Sequence, residues 1–103
     1  MQAHAKRMDM ALAEAILVCL TDRPMTGYEL AKAFDTTIGF FWHAGHQQIY
    51  RELQRLREAR LVDGTDVVQT GKPNKTVYAV NGRGLAHLSD WSQAAHERPP
   101  LRD

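Results

Sequence analysis

Cysteine is almost absent from this 103-residue chain. Cys19 stands alone, so no intramolecular disulfide can form and a thiolate metal cluster is excluded. The fold must therefore rest on packing. Long apolar runs are missing as well: the stretch from Ala11 to Leu20 is interrupted by Glu14 and falls short of the roughly 20 residues a bilayer span needs. It reads as a core helix, and no membrane association is expected. Lys6 and Arg7 run directly into an amphipathic segment with no apolar stretch and cleavage site of a secretory leader, so a cytoplasmic location is expected. An excess of one charge is also lacking. The net charge of +1 makes no electrostatic statement by itself, and the placement of charges matters more than their sum.

Catalytic and cofactor signatures are missing too. Gly82 and Gly84 are too few for a nucleotide-binding fingerprint, and no local pattern joins a nucleophile to a base and an anion-binding group. No enzymatic activity and no cofactor are expected. His4, His43, His46, His87 and His96 are scattered, without the short repeat on one helix face that holds zinc. His43 and His46 straddle Gly45 with no third ligand nearby, so no metal site is expected.

What remains is an ordinary soluble composition, 44% hydrophobic and 24% charged, which argues for a folded chain with room for one domain. From Asp9 to about Leu20 the positions Leu12, Ile16 and Leu20, with Ala13 and Leu17 beside them, recur at helical spacing. Thr26-Gly27-Tyr28-Glu29 has the pattern of a capping box and starts a second helix with Leu30 and Phe34 turned inward. Between Asp35 and Gly45 the aromatic run Phe40-Phe41-Trp42 is too apolar for a freely solvated loop, and it is expected to pack over the junction of the second and third helices. His46 to Ala59 is the clearest helix: at about 100° per residue, Ile49, Leu53 and Leu56 form a narrow stripe, with Gln47, Arg51, Gln54 and Arg55 opposite.

After Asp63-Gly64 the chain reads as a strand from Thr65 to Thr70, a turn at Gly71-Lys72-Pro73-Asn74, and a strand from Lys75 to Val80. Asn81 can cap a last helix in which Leu85, Leu88 and Trp91 make one apolar edge. The expected architecture is mainly α with a small β-hairpin, in the order α-α-α-β-β-α. Among small domains that order suggests a winged helix-turn-helix. Residues 8–97 are assigned to this domain and 98–103 to a tail.

A helix fits the major groove of DNA, and outward polar side chains on it can bond to base edges and phosphates. His46, Gln47, Gln48, Tyr50, Arg51, Gln54 and Arg55 are the candidates on the third helix, glutamine suiting adenine and arginine suiting guanine. The segment from His46 to Arg60 carries Arg51, Arg55, Arg57 and Arg60 against Glu52 and Glu58 only, which gives mild electrostatic support. In the hairpin turn, Lys72 and Lys75 can lie against a phosphate backbone. The same residues also suit a plain solvated helix face and an ordinary polar turn, so composition leaves both readings open. Phe41, Trp42 and Trp91 are candidates for lining an effector cavity or a dimer contact, with burial in the core as the alternative. A protein-docking surface on the aromatic run, with no contact to DNA, is a further reading.

Three motifs carry a resemblance: Thr26-Gly27-Tyr28-Glu29-Leu30, then Gln48-Ile49-Tyr50-Arg51-Glu52-Leu53 with Leu56, then Lys75-Thr76-Val77-Tyr78-Ala79-Val80-Asn81 through Gly84. From Leu12 to Trp91 the chain resembles the PadR family of bacterial regulators. The resemblance implies a winged helix-turn-helix fold, a homodimer on a palindromic DNA operator, and repression relieved by a small hydrophobic or phenolic effector. It also implies that Gln47, Gln48, Tyr50 and Arg51 enter the major groove while Lys72 in the wing touches the flanking backbone. Two positions depart from the family pattern, Gly45 where a serine usually caps the third helix and Arg60 where a glycine commonly ends it. Family members usually continue into further helices that form most of the dimer interface, so residues 98–103 are expected to open such a C-terminal region.

Overall fold

The computed structural model describes the backbone of residues 2–38 and 45–97, and the side chains of residues 12–36 and 45–93. The apolar spacing of the first helix decides where the centre of the molecule lies. Leu12, Ile16, Leu17 and Leu20 of α1 (Gln2–Asp22) are all buried, and α1 touches α3, α4 and β3. Burial of each such side chain stabilises the fold by about 1.5–3 kcal/mol. The helix begins at Gln2 rather than near Asp9, because residues 2–8 contain good helix formers and no glycine or proline to stop it.

Next comes an element absent from the sequence expectation. Met25–Thr26 forms a two-residue strand, β1, that pairs antiparallel with Val77 and Tyr78. The wing is therefore part of a three-stranded sheet ordered β1-β3-β2, not a bare hairpin. Two residues are too few to show alternation, and the partner lies far along the chain.

Helix α2 (Gly27–Ala33) opens with the predicted capping box, and Leu30, Ala31 and Phe34 turn into the core. It runs into a π-helical turn, Phe34–Ile38. The aromatic run Phe40-Phe41-Trp42 and His43 lie outside the described residues. Helix α3 (His46–Glu58) buries Ile49, Leu53 and Leu56 as its stripe predicts.

Strands β2 (Val62–Val67) and β3 (Lys75–Val80) pair from Val62 with Val80 to Val67 with Lys75. The first strand of the wing thus starts and ends three residues earlier than expected. Val62 is a core residue, which draws the strand start inward, while Gln69 belongs to the turn, where its amide donates to Asn74 Oδ1 at 3.3 Å. Asp63-Gly64, placed ahead of the strand by the sequence reading, lies within β2. Arg57 passes close over Gly64: Arg57 Nη2 donates to Gly64 O at 3.3 Å, and a Cβ at Gly64 would stand 2.8 Å from the guanidinium carbon, the far end of a side chain free to shift.

Asn81 caps α4 (Gly82–Glu97) by accepting from the Gly84 amide at 2.9 Å. Its amide group also donates to Arg60 O at 3.0 Å and to Asp63 Oδ1 at 3.1 Å, so one side chain joins the end of α3, the start of β2 and the start of α4. The apolar edge expected on α4 is only partly covered. Leu88 packs against the core, whereas Leu85 and Trp91 remain 51% and 40% exposed.

Candidate nucleic-acid interface

The side of α3 opposite its buried stripe consists of polar side chains in solvent. Gln47, Gln48, Arg51 and Gln54 are all exposed, and Gln47, Tyr50, Arg51 and Gln54 line a shallow depression on the helix surface. Gln54 Nε2 donates to Glu58 Oε2 at 3.4 Å, a long and weak bond that leaves the amide free to turn outward. The helix enters at Gly45 in extended conformation with no side-chain cap. It leaves through a Schellman turn, in which the Leu61 amide donates to Leu56 O and the Arg60 amide to Arg57 O, both at 3.0 Å. Arg60 occupies the left-handed position of that turn at φ 65°.

Tyr50 joins this surface of α3 to the wing. Its ring lies against the first residue of α2: a Cβ on Gly27 would meet Tyr50 Cε1 at 2.7 Å and Cδ1 at 2.9 Å. This contact explains why a glycine stands inside the capping box. Tyr50 remains 43% exposed and forms one wall of a groove of about 600 Å³, whose other walls include Tyr28, Gln69, Lys72, Lys75 and Tyr78. The helix face and the wing lysines therefore open onto one continuous surface through a single aromatic ring.

At the base of this groove Thr26 and Glu29 exchange hydrogen bonds, the Glu29 amide to Thr26 Oγ1 at 3.0 Å and the Thr26 amide to Glu29 Oε1 at 2.9 Å. The Thr26 amide holds the Glu29 carboxyl below its usual range, with smaller help from Arg23 and Lys75. On the wing, Thr76 Oγ1 donates to Asp66 Oδ1 at 2.9 Å, so this carboxylate is bound across the hairpin. Gly71 takes φ 74°, the left-handed conformation that lets the turn close before Lys72.

The geometry has clear counterparts among known proteins. The sequence pattern described as the Transcriptional regulator PadR-like family matches residues 16–90. The chain belongs to this family. It is 50% identical over 82 residues to the probable transcriptional regulator Rv1176c of Mycobacterium tuberculosis, an alignment covering 80% of this chain and 43% of that protein. With the negative transcriptional regulator PadR of Bacillus subtilis it shares 34% identity over 80 residues, covering 78% of this chain and 44% of that protein. The crystal structure of Bacillus subtilis PadR in complex with operator DNA superposes with a TM-score of 0.73 at 33% identity, over 79% of this chain and 46% of the other. A PadR-like transcription factor of Bacteroides fragilis superposes with a TM-score of 0.82 over 94% of this chain and 91% of its own. At 18% identity that likeness shows the fold alone. The chain spans less than half the length of the two curated relatives.

Within this PadR-like frame, the residues singled out from sequence divide into groups. Gln47, Tyr50, Arg51 and Gln54 share one surface, Gln48 is exposed beside them, and Lys72 and Lys75 reach the groove that Tyr50 borders. His46 and Arg55 are engaged elsewhere. His46 Nε2 lies 3.0 Å from Asp35 Oδ2, linking the start of α3 to the π-helical turn. Arg55 Nη1 donates to Glu52 Oε1 at 3.0 Å and lines a different cleft, toward α1 and α4. Trp91 is exposed on α4, while Phe41 and Trp42 lie outside the described residues.

Sequence reasoning missed Tyr28, which is exposed at the groove with Lys32 Nζ 5.8 Å from its ring centroid. The capping box placed Tyr28 in the first turn of α2, but periodicity alone gave no sign that this turn faces the wing. Among the described residues no helix is long and apolar enough to cross a membrane.

Proposed function

We propose that this chain is the DNA-reading unit of a transcriptional regulator, with α3 in the major groove and the β2–β3 wing on the flanking phosphate backbone. The observation that carries the reading is the continuity of exposed Gln47, Arg51 and Gln54 with Lys72 and Lys75 through the Tyr50 ring. Gln47, Gln48, Arg51 and Gln54 present the bidentate donors and acceptors suited to base edges. Tyr50, Lys72 and Lys75 present groups suited to phosphates, which fix register without reading sequence. His46 and Arg55 join the interface only by leaving Asp35 and Glu52.

The name and the DNA-bound structure of the Bacillus subtilis relative support a negative regulator acting at an operator. On that reading the protein works in the cytoplasm as a homodimer on a palindromic site, with half-sites about one helical turn, roughly 34–36 Å, apart. Residues 8–97 are the winged domain and 98–103 lead into a dimerisation region. A small hydrophobic or phenolic effector releases the repressor.

Affinity for promoter fragments at two salt concentrations tests the assignment. Arg51→Ala is expected to lose about 1–3 kcal/mol on the preferred sequence and to relax specificity, whereas Lys72→Ala should weaken all sequences alike and lower the salt slope by about 1. Wild-type affinity and salt dependence in both variants would remove the assignment.

A further inference from the structure

The wing leaves the body of the protein at the pair Val62–Val80, the inner end of the β2–β3 ladder. Just outside that pair the end of α3, the start of β2 and the first turn of α4 come together. Asn81 lies among them and bonds to all three. Its Oδ1 accepts from the Gly84 amide at 2.9 Å, while Nδ2 donates to Arg60 O at 3.0 Å and to Asp63 Oδ1 at 3.1 Å. A carbonyl and a carboxylate only accept and a backbone amide only donates, so these partners fix which way the side chain is turned. Capping α4 uses the oxygen alone, and serine caps about as well. The nitrogen end does something else: it joins Arg60, the left-handed residue that ends α3, to the second residue of β2.

The strand β1 holds the wing along its β3 edge. On the β2 side α3 is tied to the wing by the Asn81 nitrogen and by the longer bond from Arg57 Nη2 to Gly64 O at 3.3 Å. A strand rises about 3.3 Å per residue, so Val67, at the far end of the ladder, stands roughly 13 Å from Asp63. A tilt of about 10° at the root moves that end by roughly 2 Å, enough to take a donor out of hydrogen-bond range. We propose that Asn81 is a positioning residue for DNA binding: it does not touch the duplex, and by fastening the end of α3 to the root of β2 it sets the separation between Arg51 and Lys72. The inference rests on the assignment of α3 and the wing to DNA. Without the tie the wing samples several tilts, and apparent affinity falls with the fraction of molecules in the one that suits the duplex.

Asn81→Ser keeps an oxygen for the Gly84 amide but is too short to reach Arg60 and Asp63. At a temperature where every variant is folded, it is expected to bind a promoter fragment about three- to tenfold more weakly than the native chain. Lys72→Ala should then cost at least about threefold less affinity in the Asn81→Ser background than alone, whereas residues at opposite ends of the wing ordinarily act independently within about twofold. Asn81→Asp keeps the cap and sets two carboxylates against each other, so it should bind more weakly still. Adding Asp63→Asn restores the bond between the two side chains in the opposite sense, and should raise affinity about fivefold more in that background than in the native chain. Equal gains in both backgrounds would reduce the effect to net charge and overturn the proposal, as would independent costs for Lys72→Ala or native affinity in Asn81→Ser. Arg51→Ala and Lys72→Ala distinguish the two failures. When both weaken binding and Asn81→Ser does not, the positioning role falls and the DNA assignment stands; native affinity in all three removes the assignment and the proposal with it. Should Asn81→Ser fail to fold, the Asn81→Asp and Asp63→Asn pair still decides.

Discussion

Replacing Gly27 with alanine should separate DNA binding from stability. A Cβ at this position would stand 2.7 Å and 2.9 Å from two carbons of the Tyr50 ring. Carbon atoms in contact settle at about 3.5–4.0 Å, so the ring must withdraw by roughly 1 Å. Tyr50 is 43% exposed and has solvent to move into. The overpacking cost of about 1–3 kcal/mol seen in closed cores is therefore not reached, and the helix-propensity gain of alanine over glycine, up to about 1 kcal/mol, offsets part of what remains. Net stability should change by less than about 1 kcal/mol, a few degrees in Tm for a domain of this size.

Affinity should respond differently. If the Tyr50 hydroxyl donates to a phosphate, the bond is to a charged acceptor and contributes about 1.5–3 kcal/mol, so its loss weakens binding roughly ten- to hundredfold. Fluorescence anisotropy on a promoter fragment, paired with a thermal melt, measures both quantities. Tyr50→Phe supplies the reference, since it removes the hydroxyl and leaves the ring in place. Wild-type affinity in Gly27→Ala, beside a clear loss in Tyr50→Phe, would refute the claim that Gly27 sets the ring position.

Three further outcomes follow from the helix ends. Arg60→Gly should stabilise by about 1 kcal/mol, or roughly 4–8 °C in Tm, because Arg60 holds φ 65° and glycine does so without the Cβ clash; Arg60→Ala keeps that clash, and an equal gain in thermal melts of both variants would assign the effect to charge. Gly45→Ser should add a few tenths of a kcal/mol by supplying the missing cap of α3, since among the described residues nothing comes within 4 Å of a Cβ at Gly45, and urea midpoints check it. Because Glu29 titrates below its usual range in the folded state, its contribution is complete above the unfolded value and is lost as pH falls through the lower folded value. Urea midpoints of wild type and Glu29→Gln should therefore differ at pH 7 and converge as the pH is lowered through the folded value of Glu29, and a constant gap would contradict the role of the carboxylate charge.

The legible parts of the fold were those written in local patterns. The stripe Ile49, Leu53 and Leu56 gave the orientation of α3, since a helix that buries one side must expose the other. The capping box and the Asn81 cap were readable because each involves residues three apart in sequence. Contacts between distant segments left no such mark. Nothing in the local sequence shows that Glu14 meets His87 on another helix, or that Arg57 crosses Gly64 and donates to its carbonyl. Spacing was also an incomplete guide on α4, where Leu85 and Trp91 share an edge with Leu88 but only Leu88 reaches the core. For the interface, polarity identified the exposed residues of α3, yet the engagement of His46 by Asp35 and of Arg55 by Glu52 depends on neighbours that periodicity does not supply.

The element least visible in sequence also fixes the relation between α3 and the wing. Thr26 pairs with Val77 in β3, which continues into the wing, and the same residue caps α2 through its Oγ1. Gly27 follows immediately, and the Tyr50 ring rests on it. A short chain of contacts thus runs from the wing strand through two consecutive residues to α3, with Met25 anchored in the core beside it. A two-stranded hairpin joined to the body only at its ends is free to pivot, whereas a third strand on its inner edge restrains it. The spacing between the α3 surface and Lys72 is for this reason a property of β1 as much as of the wing itself, and a duplex meeting both surfaces meets them already set at one separation.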